Sequence, residues 1–463
     1  MLAVKRVVKC IALSFGAVVL LAVVLGFIGF RWGLTPLPKP PPGVRIKPLL
    51  PPIARENLTP ENGAFQYMRA VDFIQRRYLP DEFEDQIQAL LDGSIPAKIN
   101  GLERTISDFG PALDLVRQGT HTPSCQMPQL DLTVDTNAFR SLRLAARLLV
   151  ADGKLAENQG DFTRAIDDYL TVVKFGVDCA KGGTIMYALI GDAIESLGSQ
   201  AIRAYVLQNT NPSGDTQSIM EKLSRIYSER MPFAETLRYE LEGLKGTMDQ
   251  ALLDQTNSWQ QLLISRDEVF VYFEAAFGEL IQDAERPLWE SNTKAIMRKW
   301  ERDKPIWRTA LNRPIPRILV AMMLPNIGSA RNRTIRAELE LEATTVVCAL
   351  KSYEIIHGAP PNQLSDLTSD LLPSLPMDPF DGKPLRYRHE GKEWVVWSVG
   401  SDRKDDNAAW HEFKYRKHDD YRIGGDIYFK STEPQDDLAF YLSQQKVKAS
   451  GTTLSKRTPT AAP

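Results

Sequence analysis

From Cys10 to Phe30 the chain reads CIALSFGAVVLLAVVLGFIGF, an apolar run with no charged residue. A run of about 20 such residues, coiled as a helix, matches a hydrocarbon core roughly 30 Å thick. Lys5, Arg6 and Lys9 precede it and only Arg31 follows closely. The positive-inside bias therefore places residues 1–9 in the cytoplasm and the chain after Arg31 across the membrane. A cleaved signal peptide would have a shorter apolar core and a small-residue cleavage site, whereas Arg31-Trp32-Gly33-Leu34 follows here. Cys10 precedes the apolar stretch instead of ending it, which is not a lipoprotein arrangement. The expectation is an uncleaved, single-pass anchor over residues 10–30.

Past the anchor the pattern changes twice. Residues 31–58 are crowded with proline (Pro36, Pro38, Pro40, Pro41, Pro42, Pro48, Pro51, Pro52), which disfavours helix and sheet ladders and predicts an extended linker or stalk. Thr59-Pro60-Glu61 then has the form of a helix start. From there to about residue 300 the apolar positions recur at helical spacing. Phe65, Met68, Val71, Phe73 and Ile74 predict one buried face. Leu142, Ala145, Ala146, Leu149 and Leu155 form a stripe, Gln159-Gly160-Asp161 a turn, and Ala165, Tyr169 and Val172 a second stripe. With Gly153, Ala165 and Tyr169 at matching spacings, residues 138–178 resemble one tetratricopeptide hairpin, although no second copy follows at the repeat period. Val269-Phe270-Val271-Tyr272-Phe273 reads as core. Trp289, Trp300 and Trp307, interleaved with Arg298, Lys299, Arg302, Lys304 and Arg308, read either as a lipid-headgroup contact or as an ordinary helix with its tryptophans inside.

The segment 318–430 has its own pattern. Ile335, Leu339, Ala343, Val346, Leu350, Tyr353 and Ile356 line one helix face; Gly358 stops it, and Pro360-Pro361 enforces an extended turn. A leucine-bearing piece and the turn Met377-Asp378-Pro379-Phe380-Asp381-Gly382 lead to strands at 385–388 and 393–398. In order, the residues Leu324-Pro325-Asn326, Ala349-Leu350-x-x-Tyr353, Gly358-x-x-Pro361, Leu364-x-x-Leu367, Leu375-Pro376-x-Asp378-Pro379-Phe380-x-Gly382-x-Pro384, Trp397-Ser398-Val399-Gly400-Ser401-Asp402 and Gly425-Asp426-Ile427 resemble the major pseudopilin of type II secretion systems. The resemblance covers about 319–429 and implies a helix packed on a small antiparallel sheet closed by a calcium-binding loop. By position it implies ligands at the Val399 carbonyl, Ser401, Asp402 and Asp426, with Asp405 and Asp406 as further candidates. Calcium takes six to eight oxygens on flexible backbone, and these acids lie in turn-rich sequence. An insertion between Asn407 and Gly424 departs from the family, as does the absence of a membrane-length apolar helix ahead of Leu319, so fibre incorporation is not implied.

The overall expectation is a mostly α protein with a C-terminal α+β domain: anchor, proline-rich linker, helical domain 59–317, pseudopilin-like domain 318–430, and a tail 431–463 disordered from about 446. A formal net charge of -2 supplies no basic field for nucleic acid. The cysteines Cys10, Cys125, Cys179 and Cys348 form no CxxC pair, and isolated buried thiols are expected over a disulfide. No nucleophile elbow, P-loop, dinucleotide fingerprint or HExxH is present. His121 and Cys125, four apart, read as a surface loop, and Asp167-Asp168 as a solvated helix face. The functional expectation is a non-catalytic interaction or scaffold protein of the bacterial inner membrane, its body periplasmic. Its partners would be envelope or secretion components, and a calcium- or ligand-responsive sensor is the alternative.

Overall fold

The computed structural model describes residues 37–77, 81–91, 102–129, 136–208, 213–254, 266–301, 314–390, 393–405, 407–408, 427–428 and 440–442. The apolar run 10–30 and the tail beyond 442 lie outside these residues, as do Trp307, Asp406 and Asp426. No helix among the described residues is long and apolar enough to cross a membrane. The fold is mostly helical with a small antiparallel sheet. It divides into two compact units, Met1–Ile202 with Lys222–Leu341, and Arg203–Glu221 with Glu342–Pro463. The border therefore falls within a helix expected to belong wholly to the C-terminal domain.

In the first unit, α1 (Gly63–Gln75) begins later than Thr59-Pro60 predicts. Asn62 is the N-cap, its side chain accepting from Ala64 N at 3.1 Å. The same carboxamide accepts from Gln126 N and donates to Gln126 O, both at 3.0 Å. A distant segment thus decides which residue caps the helix. The buried face of α1 holds Tyr67, Met68, Val71 and Ile74, with Tyr67 fully buried, while Phe65 and Phe73 are only half-buried. After α2 (Asp81–Leu91), α3 (Leu102–Asp108) and α4 (Gly110–Thr120) comes the hairpin of α5 (Thr136–Asn158) and α6 (Phe162–Ala180). Its turn forms as its residues dictate: Gly160 takes φ +82°, and Asp161 caps α6 by accepting from Arg164 N at 3.2 Å. A Cβ on Gly153 would lie 2.6 Å from the Tyr169 ring, so the expected close approach of α5 and α6 is present.

α7 (Ile185–Gln208) comes nearer still to α6. A Cβ on Gly176 would stand 2.4 Å from Glu195 N and 2.6 Å from Gly191 O. α8 (Ser213–Ser228), α9 (Phe233–Asp254), α10 (Arg266–Ala284), α11 (Thr293–Glu301) and α12 (Pro314–His357) follow. Pro314 and Pro316 are accommodated in the first turn of α12, where backbone N–H groups have no helical acceptor. Val269, Tyr272, Phe273 and Phe277 of α10 join Phe233, Leu237 and Leu241 of α9 in one core, as read from the sequence. Trp300 lies in that core, with Ile296 and Met297 against it, so this tryptophan does not face a lipid surface. The apolar side of α11 simply had a better place to go.

The proline-rich segment is not a free stalk from Leu37 onward. Val44 and Ile46 pack on the α9–α10 core, and a Cβ on Gly278 would meet Pro40 at 2.8 Å and Pro41 at 3.0 Å. Glu235 grips the segment twice, accepting from Arg45 Nη2 at 2.7 Å and from Leu49 N at 2.5 Å, while Arg238 donates to Arg45 O at 2.8 Å. Further on, Gln126 donates to Pro51 O and Gln129 N to Ile53 O. Prolines cannot join a ladder as donors, but their rings and carbonyls can be packed and hydrogen-bonded. Residues 37–57 thus form a strap.

In the second unit, α12 buries Ala343, Val346, Val347, Cys348, Ala349 and Leu350, while Ile356, read as part of the same stripe, is 64% exposed in the last turn. β1 (Arg386–Glu390) pairs antiparallel with β2 (Glu393–Ser398), close to the expected strands. On the other edge of β2, β3 (Ile427–Tyr428) pairs with Trp397 and Ser398, and β4 (Phe440–Leu442) with Trp394 to Val396. Trp394, Val395, Val396 and Trp397 are all buried, so both faces of β2 are covered.

Candidate functional site

The loop after β2 is where the resemblance implies an ion site, and its geometry begins with Asp378. This carboxylate has no exposed surface. One oxygen accepts from Phe380 N at 3.0 Å and Ser398 Oγ at 2.9 Å; the other accepts from Val399 N at 2.8 Å and Arg386 Nη1 at 2.5 Å. Arg386 continues to Asp381 and lies 3.7 Å from Asp405. Burial pushes the Asp378 pKa upward, against four donors that pull it down. The Asp378-Pro379-Phe380-Asp381-Gly382 turn is thereby tied to the end of β2.

On this frame, Val399 is buried. Ser401 is half-buried and Asp402 exposed, its carboxylate accepting from Lys404 N at 3.1 Å. Asp405 accepts from Trp397 Nε1 and from Asn407 N, both at 3.0 Å. Trp397 and Arg386 thus hold a carboxylate read as a candidate ligand. β3, which begins one residue after Asp426 in the chain, pairs Ile427 with Ser398. Arg403, Asn407 and Ala408 adopt left-handed backbone, which costs a non-glycine residue about 1 kcal/mol. Among the described residues no group of three or more His, Cys, Asp or Glu side chains is placed to hold a metal ion.

The other chemistry expected from the sequence separates in space. His121 Nδ1 lies 2.6 Å from Arg117 O, whereas Cys125 Sγ lies 3.8 Å from Asp178 O, so they form no thiol–imidazole pair. Asp168 is buried against Arg117, which also binds Asp152 and Asp114; Asp167 instead faces Lys222 at 2.8 Å. Asp168 is therefore not on a solvated helix face as expected: it shares Arg117 with Asp152, and burial pushes its pKa up to about 6. Beside Arg117, a shallow groove of about 790 Å³ is lined by Pro60, Glu61, Gln118, His121 and Ser124.

Sequence reasoning missed a buried charge cluster at the α7 side of the first unit. Arg230, nearly buried, binds Glu195, lies 3.4 Å from Asp192, and has Nε 3.7 Å from Glu338. Asp192 also accepts from Thr334 Oγ1 at 2.7 Å. Glu195 Oε1 has no hydrogen-bond partner among the described residues. Three carboxylates around one guanidinium hold Arg230 protonated more firmly than usual. For Glu195 the balance reverses: burial first, then the charges of Asp192 and Glu338, outweigh Arg230 and push its pKa to about 8. Burial likewise lifts Asp192 to about 6. One signal was legible: Asp192 and Glu195 are charges three apart on a helix whose one other charge is Arg203.

The cluster predicts a pH dependence. Folded Glu195 keeps its proton above the 4.5 of an exposed glutamate, so between about pH 4.5 and 8 the folded state binds more protons than the unfolded one. Stability from this group therefore falls as pH rises through that window and levels off above it. Glu195→Gln keeps the shape and removes the proton. Melting temperatures at pH 6, 7, 8 and 9 should decline less steeply in the variant than in the parent; parallel curves would show that Glu195 does not titrate there.

No family model, curated protein or solved structure matches the chain.

Proposed function

We propose that this protein is a single-pass inner-membrane component of the bacterial envelope that serves as a non-catalytic interaction scaffold. In this reading residues 10–30 are the anchor, the body is periplasmic, and the C-terminal unit is a pseudopilin-like head directed at secretion machinery. The observation that carries it is the strap. Residues 31–36 separate the apolar run from Leu37, and fully extended they reach roughly 20 Å. A chain anchored through 10–30 therefore holds its helical unit close to the bilayer, because Pro40, Pro41, Val44 and Ile46 are already packed on α9 and α10. Such a tether suits a positioned platform better than a swinging domain.

Alkaline carbonate extraction of membranes tests the anchor. The full chain should stay in the pellet, and a chain lacking residues 1–33 should become soluble and keep a strongly helical circular dichroism spectrum, reduced only by the loss of the anchor helix. Release of the full chain by carbonate would exclude a spanning segment. Crosslinking in intact envelopes should recover type II secretion components, and their absence would remove the secretion assignment while leaving the anchor.

A further inference from the structure

Cys125 and Cys179 look unrelated along the sequence, but the fold brings them to one place. Cys179 is buried near the end of α6, directly after Asp178. The segment holding Cys125 runs along that helix end: Met127 N donates to Lys181 O at 2.7 Å, and Cys125 Sγ lies 3.8 Å from the carbonyl of Asp178. The fully buried Asp178 side chain fixes the helix end. It accepts from Tyr67 Oη at 2.8 Å, from Lys174 at 2.5 Å and from Lys181 at 2.9 Å. Both thiols bear electrostatically on Tyr67, and after burial the largest influence on the Cys179 thiol is that of Cys125. Cys348, by contrast, belongs to the second unit.

We propose that Cys125 and Cys179 are a redox pair that closes into a disulfide, stapling the 121–129 segment to the end of α6. The same segment holds the strap through Gln126 and Gln129, so the bond would secure the strap's seat covalently. The oxidant is a disulfide, small-molecule or protein. The half-buried Cys125 attacks first as its thiolate, breaking the oxidant's S–S bond and releasing one thiol. Cys179 then attacks the mixed disulfide, forming the Cys125–Cys179 bond and releasing the second thiol, so two electrons and two protons pass to the oxidant. Burial raises both thiol pKa values, which makes closure slow in the folded state and fastest while the segment docks. The placement of the pair is independent of compartment; its oxidation in the cell rests on the periplasmic reading.

The test uses the full chain in detergent, refolded in glutathione-disulfide buffer, alkylated under denaturing conditions and mapped by non-reducing mass spectrometry. A Cys125–Cys179 peptide should appear, with Cys348 alkylated. Closing a loop of about 54 residues should raise the melting temperature of the oxidised chain by roughly 5 °C or more over the reduced one. That increment should vanish in Cys125→Ser, whose folding is checked by its match to the reduced parent. Full alkylation of both cysteines after refolding, or a linkage through Cys348 or Cys10, would overturn the proposal. Acid-trapping in cells is the separate arm: a pair that is reduced in cells yet closes in the refolding buffer overturns the periplasmic reading and leaves the pair standing.

Discussion

Asp378→Ala is expected to destabilise the C-terminal unit by about 3–5 kcal/mol, the range for breaking a buried, hydrogen-bonded ion pair. The carboxylate is completely buried and satisfies two backbone N–H groups, one hydroxyl and one guanidinium, on three stretches of chain. Removing it leaves Phe380 N and Val399 N without their acceptor, each costing about 1–3 kcal/mol. It also leaves the Arg386 guanidinium, 15% exposed, with Asp381 and the more distant Asp405 as its remaining acidic partners. Against a domain stability of about 5–15 kcal/mol, this is a large fraction. Asp378→Asn keeps the shape and one acceptor but turns an amide NH2 toward donors, so it should fall between parent and alanine. Amide hydrogen exchange across β1 and β2 reads the result directly. If the alanine variant protects Arg386–Ser398 as well as the parent does, Asp378 is not the clasp between turn and strand.

The second large effect is expected at Gly176. A Cβ there would fall 2.4 Å from Glu195 N, 2.6 Å from Gly191 O and 2.8 Å from Glu195 Cα, all backbone atoms that cannot rotate aside. α6 and α7 must then separate, and overpacking of this kind costs about 1–3 kcal/mol or more. The separation also moves Glu195 relative to Arg230 in a site with no water-exposed alternative. Gly176→Val should therefore lower the urea midpoint well beyond Gly176→Ala, with both below the parent. Gly246→Ala is the matched control: it lies within α9 with nothing within 4 Å of its Cβ, so it should be neutral or up to about 1 kcal/mol stabilising. Equal midpoints for Gly176→Val and the parent would mean that the helices do not meet there.

What is local in origin is legible in the sequence. The α5–α6 hairpin, its Gly160 turn and the Gly153–Tyr169 approach follow from spacing and from the backbone freedom of glycine. The β1–β2 hairpin follows from turn residues and aromatic, β-branched runs. Sequence and structure part where a distant segment competes. Asn62 caps α1 because Gln126 engages its side chain. Residues 37–57 are bound because Glu235, some 190 positions on, supplies acceptors for Arg45 and Leu49. Trp300 is buried because the α9–α10 core offers it a place.

The candidate ion loop shows the same division. Composition marks Asp402 and Asp405 as turn acids, but only the fold shows that Trp397 and Arg386 engage Asp405. Cys125 and Cys179 lie far apart in the chain, and nothing in either neighbourhood announces the other.

By itself, then, the sequence determined the helical character of the body, its α+β C-terminal part, the positions of its main turns and the apolar run that opens the chain. Those follow from periodicity and backbone preference, which act over a few residues. The tertiary structure alone decided which charges are buried together, which thiols are neighbours and where the proline-rich segment lies. Such pairings depend on what long-range packing brings within a few ångströms, and residue spacing along the chain carries no record of it.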